Sequence, residues 1–86
     1  MNLNQLRYFV TLAHLEHYTK AAEELKISQP SLSHAMTTLE QELETSLFQK
    51  QGRNVTLTKY GKLFLTYVEE SLQTLALQRG TTRAMT

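Results

Sequence analysis

Cysteine and tryptophan are absent from the 86 residues, and only one proline and three glycines occur. Without cysteine the chain has neither a disulfide framework nor a thiolate zinc site, so its stability must come from packing. So few breakers beside 41% hydrophobic residues exclude a disordered chain and point to a mostly helical fold. No window approaches the roughly 18 apolar residues of a membrane span, and the start, MNLNQLRYF, lacks a continuous apolar region of signal-peptide type. A cytoplasmic protein without a membrane partner is therefore expected. No repeat or low-complexity tract interrupts the chain, and its length suits one small domain with an economical core.

Nine basic residues against eight acidic ones leave a formal charge of +1, which excludes little by itself. The distribution says more. From Thr45 through Val68 there is no acidic residue, while Lys50, Arg53, Lys59 and Lys62 all fall there, making a basic patch.

Leu3, Leu6, Phe9, Val10 and Ala13 recur at three- and four-residue spacing, which predicts a helix over about 3–14. HLEHY breaks that rhythm. Thr19 is then expected to cap a short second helix holding Ala21, Ala22 and Leu25, whose small alanines allow close approach of another helix. Ser28 is the expected cap of a third helix, with Pro30 in the first turn, where its missing N–H is harmless. Leu32, Ala35, Met36, Leu39 and Leu43 fall on one side of that helix, and Ser31, Ser33, His34, Thr37 and Thr38 fall mainly on the other. Two helices joined by a short turn with a buried Ile27 form a helix-turn-helix pattern.

The period changes over 46–58. SLFQK and NVTLT alternate loosely around QGRN, so two short antiparallel strands are expected, with Gly52 in the turn and Arg53 near the tip. Thr58 is the expected cap of a long helix over about 59–78. Leu65, Val68, Leu72 and Leu75 form its stripe, and Phe64 and Tyr67 widen it. A stripe that wide needs two partners, the domain's own core and a second copy of the chain. RGTTRAMT is expected to be a frayed end or the beginning of a linker. The expected organisation is thus a winged helix-turn-helix over 1–58, a dimerisation helix over 59–78 and a flexible tail over 79–86.

Chemistry concentrates at the start of the third helix. Unpaired N–H groups and the positive end of the dipole favour a phosphate near Ser28 and Gln29. Short side chains at Ser31 and Ser33 let a helix sit deep in a major groove, where Gln29 suits an adenine edge and His34 could meet a base or a phosphate. The plainer reading is an ordinary helix start, since serine and proline are common there. Order decides between them: an alanine-rich helix, a polar-faced helix and a basic hairpin follow in the sequence that a winged helix-turn-helix requires. Lys50, Arg53, Lys59 and Lys62 then bracket the reading helix as backbone contacts, joined by Thr19 and Thr58 at the neighbouring helix starts. The tip at Arg53 could enter a minor groove or touch only phosphate or solvent.

LNQLRYFVTLA, TKAAEELKISQPSLSHAMTTLEQELETSLF and GRNVTLTKYG together resemble the amino-terminal DNA-binding domain of the LysR-type bacterial transcriptional regulators, over roughly 1–75. The resemblance implies a winged helix-turn-helix followed by a linker helix that pairs antiparallel with its copy. It places Ser28, Gln29, Pro30, Ser31, Ser33 and His34 at the major groove and Arg53 in the wing. Phe64, Leu65, Val68, Leu72 and Leu75 are expected to serve dimerisation. Such proteins look like dimers or tetramers of a longer chain that read an inverted repeat in double-stranded promoter DNA, with a small-molecule effector bound by a carboxy-terminal part outside these residues. No cofactor is expected here.

Four positions depart from the family pattern. His34 stands where arginine is common, which weakens a fixed positive contact and raises the possibility of pH-sensitive affinity. Glu44 stands where Glu-Leu-Gly usually places glycine, so the turn there is expected to differ. Lys50 offers a point charge where arginine would offer a fork, and Tyr60 replaces an alanine before Gly61. Two rival functions fit the sequence less well. Metal-dependent catalysis finds only His14 and His17, with Glu16 between them and no third ligand, and Gly52 and Gly61 are too isolated for a phosphate loop. A winged helix used only for protein association is the stronger rival, and insensitivity to salt and DNA would mark it.

Overall fold

The computed structural model describes residues 1–52 and 54–85, with side chains through residue 72. Four helices and one hairpin follow in the order α1 (Leu3–Leu15), α2 (Tyr18–Leu25), α3 (Gln29–Leu43), β1 (Phe48–Gln51), β2 (Asn54–Leu57) and α4 (Lys59–Met85). The mostly helical winged helix-turn-helix is therefore the observed fold. Phe9, Leu12, Ala21, Leu32, Met36, Leu39, Leu47, Val55 and Val68 form one core to which every helix and both ends of the wing contribute. The Phe9 ring lies 5.4 Å from that of Phe48 and 5.0 Å from that of Phe64, so one aromatic side chain joins α1, the wing and α4.

Local chemistry sets the helix ends. Asn2 caps α1 in a reciprocal box with Gln5. The helices α1, α2 and α3 end on Glu16, Lys26 and Glu44, all in the left-handed region with φ of 54°, 59° and 54°. Glu44 thus keeps the left-handed turn that a glycine would adopt more easily, and the expected change of turn does not occur. Ile27 is half-buried, and its N–H reaches Ala22 O at 3.0 Å, closing the corner between α2 and α3.

Thr19 does not cap α2. Glu16 bends the chain and His17 is extended, so the helix begins at Tyr18, and His17 Nδ1 accepts from Lys20 N at 3.2 Å. The strands are shorter than SLFQK and NVTLT suggest. Ser46 and Leu47 stay outside β1 because the Ser46 carbonyl accepts from Thr58 Oγ1 at 2.6 Å and Leu47 is buried. Pairing of Phe48 with Leu57 through Gln51 with Asn54 leaves Gly52 in the turn between the strands. Gly52 supplies its positive φ of 62°. Arg53 lies outside the described residues. Thr58 does cap α4, accepting from Gly61 N at 3.1 Å.

Gly61 is required by close approach rather than by φ. A Cβ there would lie 2.1 Å from Leu47 O. The backbone of α4 stays helical through Met85, past the expected end at Gln78, because no proline stops it and one glycine, Gly80, only weakens it.

Candidate nucleic-acid interface

The helix α3 turns Leu32, Met36 and Leu39 into the core, which leaves Gln29, Pro30, Ser31, Ser33, His34 and Thr37 exposed along its other side. Its first turn is partly self-satisfied. Ser28 Oγ accepts from Ser31 N at 3.2 Å and donates to Ser31 Oγ at 2.8 Å, while Leu32 N reaches Ser28 O. Pro30 has no N–H, so the Gln29 N–H is the remaining first-turn donor without an intrahelical acceptor. Ser28 is therefore a cap, and Ser31 keeps its own hydroxyl proton for an outside acceptor.

A cleft of about 300 Å³ separates the start of α3 from the wing, lined by His17, Thr19, Gln29, Ser33, Lys50 and Asn54 among others. It gathers residues from the start of α2, the polar face of α3 and both strands. Lys50 is exposed and supplies the positive charge here. Tyr18 at its floor has its phenol pKa raised above the ordinary value, first by burial and then by the nearby Glu40 carboxylate. Glu40 Oε2 accepts from Leu47 N at 2.7 Å and Phe48 N at 3.3 Å, while Val55 N donates to Glu16 O at 3.2 Å. The wing is thereby fastened to α3 on one side and to the bend between α1 and α2 on the other.

Not every candidate is free to touch a ligand. Both donors of Thr58 are engaged, its hydroxyl with Ser46 O and its N–H with Leu47 O at 3.0 Å, so it acts as a structural cap. Lys59 and Lys62 are exposed on the first turn of α4, beyond the wing. His14 and His17 lie on different elements, since α1 ends between them. His14 Nε2 is 3.2 Å from Glu69 Oε2 on α4 instead. His17 lines the cleft without a clear signal in the sequence, because a histidine before Tyr-Thr marks a helix start less strongly than the threonine does.

The expected dimerisation stripe is divided. Val68 is buried, and Phe64, Leu65 and Leu72 are half-buried against the domain's own core. The Leu75 side chain lies outside the described residues. Tyr60, Leu63 and Tyr67 form the outward face instead, with exposures of 61%, 58% and 71%.

Residues 3–62 match the family model described as bacterial regulatory helix-turn-helix protein, lysR family. The chain is 45% identical over 73 residues to the HTH-type transcriptional regulator YybE of Bacillus subtilis (strain 168), covering 85% of this chain and 25% of that protein. It is 46% identical over 77 residues to the transcriptional regulator BudR of Klebsiella aerogenes, covering 90% and 52%. It thus spans between a quarter and about half the length of these relatives. Two crystal structures of DNA complexes are similar throughout. The BenM DNA-binding domain with benA site 1 DNA gives a TM-score of 0.93 at 35% identity, covering 100% of both chains. The CbnR DNA-binding domain gives 0.90 at 30% identity, covering 99% of this chain and 98% of that one. The relatives are transcriptional regulators, not enzymes. With its fold, its polar-faced third helix and these matches in agreement, the chain belongs to the LysR family of bacterial regulatory helix-turn-helix proteins.

Proposed function

We propose that this chain binds double-stranded promoter DNA sequence-specifically, with α3 in the major groove, and so regulates transcription. One observation carries the reading: the exposed polar face of α3 and Lys50 of the wing border one cleft, so base-reading and phosphate-binding groups face the same way. The DNA complexes of the similar BenM and CbnR domains support it. Gln29, Ser33 and His34 are the base readers, Ser31 and Lys50 meet phosphate, and Lys59 and Lys62 extend the basic surface. These residues need no cofactor, and a cytoplasmic site of action goes with this reading. No helix among the described residues is long and apolar enough to cross a membrane.

The DNA site is an inverted repeat read by a homodimer, because α4 presents an apolar outer face that the domain itself leaves uncovered. Tetramer formation and response to a small effector belong to a longer chain of the relatives' length. Selection of bound duplexes from a random library at low and moderate salt tests the reading. An enriched inverted repeat, with affinity falling steeply as salt rises, is expected. Binding to no duplex at either salt would transfer the function to protein association. Tyr67→Ser should lower the sedimentation mass toward that of one chain while leaving the fold unchanged.

A further inference from the structure

At the corner of the helix-turn-helix, the Thr19 hydroxyl donates to Gln29 Oε1 at 3.2 Å. Both residues are exposed on the cleft between α3 and the wing. The neighbouring polar groups are occupied within their own helix starts, His17 with Lys20 N and Ser28 with Ser31. Thr19 is thus the side chain that reaches from α2 to the first exposed reader of α3.

The bond constrains what that reader offers. A carboxamide has an acceptor end and a donor end, and the base it favours depends on which end faces the groove. Bidentate pairing with adenine needs both ends, since the oxygen accepts from N6 and the nitrogen donates to N7. Guanine presents only acceptors, N7 and O6, and thymine presents O4 beside its methyl group. With Oε1 turned toward Thr19, the Nε2 donors are the end left for the duplex.

We infer that Thr19 is a positioning residue for base specificity: it holds the Gln29 carboxamide with its donors outward and so selects guanine, which presents two acceptors, over adenine, which presents one beside a donor, at the step Gln29 reads. The inference rests on the proposed placement of Gln29 in the major groove. It differs from a phosphate contact by Thr19, which would strengthen binding to every sequence alike.

The test uses the 86-residue chain and the duplex enriched from a random library, with all four base pairs placed in turn at each half-site position. The step read by Gln29 is the one whose preference Q29A removes. There the unaltered chain should favour guanine over adenine by about tenfold. T19V, which keeps the shape and removes the hydroxyl, should shrink that ratio to about twofold or invert it, and T19S should restore it. In the Q29A background T19V should change nothing further, since the residues act as a unit. Thermal unfolding of each variant keeps a fold defect apart from a specificity change.

Equal weakening by T19V on selected and random duplexes, an unchanged ratio, or a preference for adenine in the unaltered chain would overturn the inference alone. Sequence-selective binding that Q29A leaves intact would remove Gln29 from the bases and the inference with it. Absence of any selective binding by the unaltered chain would instead overturn the proposed function on which both stand.

Discussion

On α3, Leu32, Met36 and Leu39 are buried, and the opposite side from Gln29 through Ser33 and His34 to Thr37 is polar and exposed. On α4, Phe64 and Val68 also turn inward, yet the opposite side shows Tyr60, Leu63 and Tyr67 to solvent. The two helices are alike in what they give the core and unlike in what they offer outside. A polar outer face with a lysine beside it suits phosphates and base edges, whereas an aromatic and aliphatic one suits another protein surface. Inner faces therefore explain the fold, and on the proposed function the outer faces divide the labour of binding and association.

The largest expected effect breaks the inner half of that comparison. Leu32→Ala should lower unfolding free energy by about 2–5 kcal/mol in urea titration, because the leucine is fully buried and leaves a cavity. Gly61→Ala attacks the foot of α4, where the new methyl meets the backbone of Leu47. A loss of about 1–3 kcal/mol is expected by the same titration. Ser33→Ala isolates the outer face of α3: unfolding should be unchanged, while competition binding should show about 1–3 kcal/mol less discrimination at one base step. At the far end of α3, Glu44→Gly should raise stability by about 1 kcal/mol in thermal unfolding, since glycine takes φ of 54° without strain.

The smallest effect concerns pH. Tyr18 has a raised folded pKa, so its contribution is complete below the unfolded value near 10 and declines as pH rises through the folded value. Stability measured from pH 8 upward should fall above about pH 10, and Tyr18→Phe should reduce that fall.

The inner faces were legible in the sequence because periodicity is a property of the chain alone. Leu32, Met36 and Leu39 declare themselves at helical spacing, and Ser28 with Pro30 marks the start of α3. The division of α4 was not legible. Phe64, Val68, Leu63 and Tyr67 all fit one wide stripe until Phe9 is placed 5.0 Å from the Phe64 ring, and only then is the outward side defined. Thr19 and His17 show a similar limit: both suit a helix start, and the left-handed bend at Glu16 decides which residue caps. Contacts between distant residues, such as Thr19 with Gln29 or Glu40 with Leu47, have no local signature.

The wing is tethered twice, through Glu40 to α3 and through Glu16 O to Val55 N. Its two strands and the third helix therefore behave as the jaws of a fixed caliper. If the domain binds DNA as proposed, these tethers resist separation of the jaws, and a duplex whose groove spacing differs from theirs would itself have to bend or twist to be gripped. On the proposed function the domain would accordingly gauge the stiffness of a DNA segment as well as its letters, including base pairs that none of its side chains reaches.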